Sequence, residues 1–443
     1  MTGLRVLFMG DLQHTGFGSV TTDLGRAMLE RGMDVRFLSQ NDVGELPEPF
    51  ASRALDVAFY QYQRTLDDPG IAGVRGDLVG DIVAGRSDAM LADGEPWGTW
   101  SPEAVVMLGD FVGVRMLAMR IGPVLGTVPV FHYCPVEGVD LPPAWASLWS
   151  ALRPVAMSRF GQAEIAKVTG TEPPLAYHGV DTTIFRPVSA SDPMVVPSRE
   201  GPEARAVTLR SREACRAFFG FDPGRRYVLR TDRNMPRKRY GSLLRAMAPV
   251  LAERPDVTLV IHCGAFDQGG FLPDSISKMP EAVRSQVLVT DRPGLPREVL
   301  AALYNAADVY ASTSAEGFGL TIAEALACGV PAVGMDYSAV PEVIGPGGAV
   351  VPVAQLYDNE YDHMWAWPDE AAFGERVAWL LDHPAKARAL GDAGRRHVAA
   401  TFRWADAAEA FDGLLSAAAE ARGDQSIPEA GDFAFQLAGE AAA

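Results

Sequence analysis

Twice along this chain, short unbroken apolar runs alternate with segments of helical period, and that alternation leaves few folds open. In the first series LRVLFM is a continuous apolar strand, DLQHTGFGS a glycine-bearing loop, and VTTDLGRAMLE places Val20, Leu24, Ala27 and Met28 on one helical face. Gly32 ends that helix, and DVRFLS follows as the next strand. A strand–helix–strand unit of this kind predicts a right-handed crossover and a parallel sheet. AVVMLG (104–109), VPVFHYC (128–134) and RPVAMS (153–158) continue the series as buried strands, while residues 50–125 otherwise mix short apolar runs with turn signals and give no firm pattern.

The second series begins at Tyr227. It runs strand YVLRT, helix YGSLLRAMAPVLAERP, strands VTLVIHCG and QVLVTD, helix PREVLAALYNA, strand DVYAST, helix TIAEALACG and strand PAVGM. With 443 residues the chain exceeds the roughly 100–200 expected of one domain. The expectation is therefore an α/β protein of two doubly wound, Rossmann-like parallel-sheet domains facing a central cleft. The first covers 1–185 and the second 225–400, with a Pro/Ser/Glu-rich linker and insertion over 186–224 between them. A helix over 401–422 is expected to cross back to the first domain, and 423–443 carry too little apolar content to pack, which reads as a mobile tail. Domain closure about the linker and that crossing is expected to exclude water from the cleft.

Composition narrows the partners. The net charge of −17 repels polyanions, which disfavours nucleic acid. No apolar run approaches the about 18 residues a spanning helix needs, and the start MTGLRVLFMGDLQ lacks a signal-peptide pattern, so a cytoplasmic location is expected. Four scattered cysteines, Cys134, Cys215, Cys263 and Cys328, read as reduced core thiols. Against the acidic background one stretch stands out as basic: Arg225, Arg226, Arg230, Arg233, Arg237, Lys238 and Arg239.

Chemistry concentrates in EGFGLTIAE, residues 316–324. Glu316 falls after a strand, in a loop at the carboxyl edge where open α/β sheets place ligands, and Glu324 in the first turns of a helix beginning near Leu320. Gly317 and Gly319 allow close backbone approach, and a helix start binds an anion such as phosphate. Carboxylates on either side of such a cradle suit neutral hydroxyls, although both are equally the acids favoured by any helix dipole. RTDRNMPRKRYG supplies Arg233 and Lys238 in a loop from the same sheet edge, fitted to neutralise a leaving diphosphate.

These residues carry a resemblance. TGFGS after the first strand, HGVDTTIFRP at the domain exit, RNMPRKR, EGFGLTIAEALACGVPAVG and PEVI occur in the order found in retaining GT-B glycosyltransferases of the GT4 family, glycosyl transferases group 1, and the likeness covers nearly the whole chain. The resemblance implies a hexosyltransferase using a UDP- or GDP-sugar, with no cofactor and no metal. It implies that Glu316 contacts donor-sugar hydroxyls and that the backbone of Gly317, Phe318, Gly319 and Leu320 faces sugar and diphosphate. Glu324 would bind the ribose, Arg233 and Lys238 the diphosphate, and the loop Asp291–Pro296, with Arg292 and Pro293, the base. Gly16 and Gly18 would let the first loop approach donor phosphate and acceptor, or simply form a tight turn. His132 would touch donor sugar or acceptor; as a histidine after an apolar run it reads equally as a satisfied core residue. Glu137 stands where related chains have aspartate in YxPVDG, and its role is open.

Neither glutamate is placed as a nucleophile, so same-face attack, with the acceptor entering as the diphosphate leaves, is the expected mechanism. Rival readings on the same residues are a phosphorylase or nucleotide-sugar hydrolase, a non-enzymatic binding scaffold, and glycosylation of a modified DNA base. Trp97 and Trp100 read either as a sugar platform or as core.

Overall fold

The computed structural model describes residues 3–13, 15–40, 46–55, 60–61, 73–74, 76–197, 206–290 and 294–421. Arg292, Pro293 and the 423–443 tail lie outside the described residues. The chain divides into two compact units. One comprises 1–136, 141–179 and 404–443; the other comprises Glu137–Asp140 and Val180–Arg403.

In the first unit a five-stranded sheet runs in the order Asp34–Ser39, Arg5–Gly10, Ala104–Leu108, Val130–Cys134, Arg153–Ala156, all pairs parallel. The order reverses direction between Arg5–Gly10 and Ala104–Leu108. Apolar side chains on both faces explain the unbroken runs: Val6, Leu7, Phe8, Val105, Val106 and Met107 are all buried. The Trp404–Glu420 helix packs on the Gly16–Glu30 helix, with Arg31 reaching Asp412 at 3.2 Å.

One sequence expectation changes here and one open alternative is resolved. The first helix starts at Gly16, inside the stretch read as loop, because the Thr15 hydroxyl accepts from the Gly18 N–H at 2.9 Å and caps it. Trp97 and Trp100 are core rather than a platform. Trp97 donates to the Trp100 carbonyl at 3.1 Å, Trp100 donates to Asp34 at 2.7 Å, and the Arg36 guanidinium lies over both rings.

The second unit holds a six-stranded parallel sheet in the order Val287–Val289, Val257–His262, Arg226–Thr231, Val309–Ala311, Ala332–Met335, Gly348–Val351. Its order reverses between Arg226–Thr231 and Val309–Ala311, so the loops following those two strands are neighbours. The described residues of the stretch read as a linker are structured. Met194–Pro197 and Ala206–Leu209 pair antiparallel, and the Arg212–Phe218 helix is tied to the unit by Arg212 and Arg216, both on Asp308 at 2.9 and 2.6 Å. A further antiparallel hairpin, Val353–Asp358 with Met364–Pro368, follows the sheet.

No helix among the described residues is long and apolar enough to cross a membrane. All four cysteines are buried, and none is in a disulfide.

Candidate active site

Residues 232–239 leave the Arg226–Thr231 strand, and residues 312–319 leave the Val309–Ala311 strand, so the switch point of the sheet brings RNMPRKR and EGFG together. Lys238 sits in a short 3-10 turn, Pro236–Lys238, which the chain exits through Arg239 in the left-handed region at φ 55°. The turn directs the Lys238 ammonium inward, where Nζ lies 2.6 Å from Glu316 Oε1 and 2.7 Å from Asp232 Oδ1. Burial alone would raise the Glu316 pKa, but Lys238, Arg237 and Arg230 outweigh it and hold the carboxyl well below its ordinary range. The carboxylate also accepts from the Ser314 hydroxyl and from Arg237 Nη1 at 3.2 Å, while the Glu316 N–H donates to Ser338 Oγ at 2.9 Å.

Arg230, Asp232, Arg237 and Ser314 complete the cluster and were not singled out as site residues in the sequence. Arg230 is fully buried, donating to Ser314 Oγ at 2.9 Å and pairing with Asp232 at 2.7 Å. Burial works against its charge and is outweighed by Asp232, the Tyr310 and Tyr240 hydroxyls and Glu316, so its pKa is raised. One signal was available: an arginine inside the apolar strand YVLRT is a buried charge, and a buried charge requires partners.

The other residues expected at the site separate. Arg233 is turned away from the cluster, 55% exposed and held by a two-pronged pair with Asp267, both bonds at 3.0 Å. Glu324 is buried on the helix that follows, its Oε2 accepting from the Tyr304 hydroxyl at 2.8 Å. Gly317 and Phe318 form the buried turn before that helix, with Phe318 edge-on to Phe402 at 5.0 Å. Gly319 caps the helix at φ 107°, a conformation that requires glycine, and Leu320 is its first residue.

In the first unit, Gly18 is explained by packing: a Cβ there would lie 1.8 Å from the Gln13 carbonyl oxygen. Nothing lies within 4 Å of a Cβ at Gly16. His132 takes the second of its two readings, a satisfied core residue. It is fully buried; its Nδ1 accepts from the Trp149 indole at 3.2 Å and its Nε2 donates to the Gly109 carbonyl at 3.0 Å, and burial pushes its pKa down to about 4. Both ring nitrogens are satisfied within the core, because the Val130–Cys134 strand is an interior one flanked on both sides. Among the described residues, no three His, Cys, Asp or Glu side chains gather as a metal site.

Known proteins resemble this chain in sequence and in fold. Residues 226–383 match the family described as glycosyl transferases group 1. A D-inositol 3-phosphate glycosyltransferase of Segniliparus rotundus is 35% identical over 209 residues, 46% of this chain and 42% of that protein. A GDP-mannose-dependent alpha-(1-6)-phosphatidylinositol monomannoside mannosyltransferase of Mycolicibacterium smegmatis is 30% identical over 278 residues, 60% of this chain and 62% of that protein. The chain thus spans about half the length of the curated relatives it matches, from 42% to 62% in these two. Among solved structures, sucrose-phosphate synthase from Thermosynechococcus elongatus covers 94% of this chain at a TM-score of 0.65 and 17% identity, with 98% of that chain covered. Anabaena HepE in complex with UDP-glucose likewise covers 94%, at 0.65 and 15% identity, with 100% of that chain covered. These two likenesses concern the fold, and the fold is GT-B. In the sequence of its second unit, over residues 226–383, this chain is similar to the glycosyl transferases of group 1.

Proposed function

We propose that the protein is a retaining, metal-independent glycosyltransferase that moves a hexose from a nucleotide diphosphate sugar to an acceptor hydroxyl. The observation that carries this reading is the buried Lys238–Glu316 pair at the sheet's switch point, beside the turn Gly317–Gly319. Lys238 supplies a cation toward the departing diphosphate, and its ammonium is fixed by two carboxylates, so it needs no reorganisation as charge develops. Glu316, occupied by Lys238, Arg237 and Ser314, is a hydroxyl acceptor for the donor sugar rather than a nucleophile. A same-face displacement follows, in which the acceptor hydroxyl attacks as the diphosphate leaves and a phosphate oxygen takes its proton. Arg233, already extended to the outside, joins the diphosphate by exchanging Asp267 for phosphate oxygens. The names of the relatives favour a phosphorylated inositol or a mannosylated phosphoinositide as the acceptor class.

A thermal-shift panel of UDP- and GDP-sugars tests the donor: one donor class should raise Tm by several degrees. Turnover of that donor, with the anomeric configuration of the product read by NMR, tests the chemistry. An inverted product, or a trapped glycosyl adduct on any carboxylate, would overturn the same-face mechanism; hydrolysis alone, with every polyol phosphate refused, would favour the hydrolase reading.

A further inference from the structure

Three cations, Arg230, Arg237 and Lys238, meet three carboxylates, Asp232, Glu316 and Glu137. Five side chains close a ring: Arg230 to Ser314, Ser314 to Glu316, Glu316 to Lys238, Lys238 to Asp232, and Asp232 back to Arg230. Arg237 stands outside the ring. Its Nη1 reaches Glu316 at 3.2 Å and the Ala315 carbonyl at 3.3 Å, and its Nε faces Glu137 at 3.7 Å.

The formal charges cancel, and a diphosphate brings at least two more negative charges. Arg233, released from Asp267, offsets one of them, and the other calls for a resident carboxylate of the cluster to yield. Asp232 and Glu316 cannot, because each leaves a buried cation uncompensated. Glu137 can. Its contact with Arg237 is the longest in the cluster, and these two side chains are the ones solvent reaches, 17% and 24% exposed. Burial lowers the Arg237 pKa and is outweighed by Glu316, Glu137 and Asp232, so the guanidinium stays cationic and needs a replacement anion when Glu137 leaves.

The backbone beside Glu137 is pinned. Val139 exchanges hydrogen bonds with Met364 at 3.2 and 2.9 Å and also donates to the Tyr337 hydroxyl at 3.1 Å, while a Cβ at Gly138 would lie 2.3 Å from the Met364 carbonyl oxygen. Exchange at Arg237 thus leaves this backbone in place.

Resting on the donor-site reading above, we propose that Arg237 is a diphosphate-gripping residue of this site and that Glu137 is its resident counter-ion, displaced when the diphosphate binds. Calorimetric titration of the full chain with inorganic diphosphate, and then with UDP and GDP, tests it. Glu137→Gln should tighten inorganic diphosphate about fivefold or more, because the competitor is gone. Arg237→Gln should weaken it about tenfold or more, and adding Glu137→Gln to that variant should change nothing further. Arg237→Lys, which keeps the charge, should recover most of the loss. Unchanged or weaker binding by Glu137→Gln overturns the proposal, as does Arg237→Gln binding like the parent. The two readings fail separately. If diphosphate follows this pattern but no nucleotide sugar is turned over, the glycosyltransferase reading falls and the anion site stands; if nucleotide sugar is turned over and both variants match the parent, the exchange falls alone.

Discussion

His132 and Lys238 are both buried ionisable side chains near the carboxyl end of a parallel sheet, and each unit of the chain accommodates its own differently. In the first unit the imidazole is neutral, and two ordinary partners, the Trp149 indole and the Gly109 carbonyl, meet all its needs. In the second unit the ammonium lies between two carboxylates, and these in turn need Arg230 and Arg237. A neutral buried group asks only for hydrogen bonds; a charged one recruits a network whose members depend on one another. Position at a strand end therefore does not mark a functional residue. A cluster of mutually dependent charges at a switch point is the stronger sign.

The largest expected effect lies in the second unit. Lys238→Ala leaves Glu316 and Asp232 facing each other without their shared cation, so a stability loss of about 3–5 kcal/mol by denaturant titration is expected. Transfer activity should fall about 10³-fold. Near-parental turnover in a folded Lys238→Ala protein would remove the site from where it is placed here.

His132→Gln should behave in the opposite way, costing about 2 kcal/mol of stability while kcat/KM stays within threefold of the parent. A collapse of turnover with intact folding would reinstate the histidine as a substrate contact. The same variant has a pH signature. The folded pKa of His132, about 4, is depressed below the ordinary value near 6.5, so the neutral form belongs to the folded state. Its contribution is fully present above about pH 6.5 and is lost as pH falls toward about 4. By pH 5 the parent should lose about 2 kcal/mol that His132→Gln does not, visible as a shallower slope of unfolding free energy against pH.

Smaller effects separate packing from surface charge. Trp100→Phe removes the indole bond to Asp34 and should cost about 1–2 kcal/mol, with donor affinity unchanged. Arg233→Ala breaks a solvent-screened pair with Asp267, and thermal melts should show a change under about 1 kcal/mol. Its effect should appear in donor binding instead, as a rise in Kd of about tenfold.

The strands were legible where burial on both faces forces unbroken apolar runs, as in Arg5–Gly10 and Val257–His262. The Val353–Asp358 strand was not. Its side chains are largely exposed, and its partner strand is supplied by a hairpin whose turn, Asn359–His363, carries acids and aromatics in no strand-like alternation. In the site, Lys238 and Glu316 were legible because their motifs place them in loops after strands. Arg237 was visible as one of seven neighbouring basic residues, yet nothing in its spacing distinguished it; what does so is a carboxylate about a hundred positions earlier in the chain. Asp232 was hidden for the same reason, since a pairing between side chains that follow a strand and a later turn depends on the turn's left-handed exit at Arg239.

The four residues Glu137–Asp140 count with the second unit although the sequence on both sides of them counts with the first. A protease nick or a recombinant fragment that isolates residues 180–403 would therefore deliver an incomplete product. Met364 would lose both its backbone hydrogen bonds to Val139, the Tyr337 hydroxyl the N–H that donates to it, and Arg237 one of its two anions. Such a fragment would present a raw strand edge prone to self-association, and the remedy is to graft the missing tetrapeptide back rather than to shift the cut site.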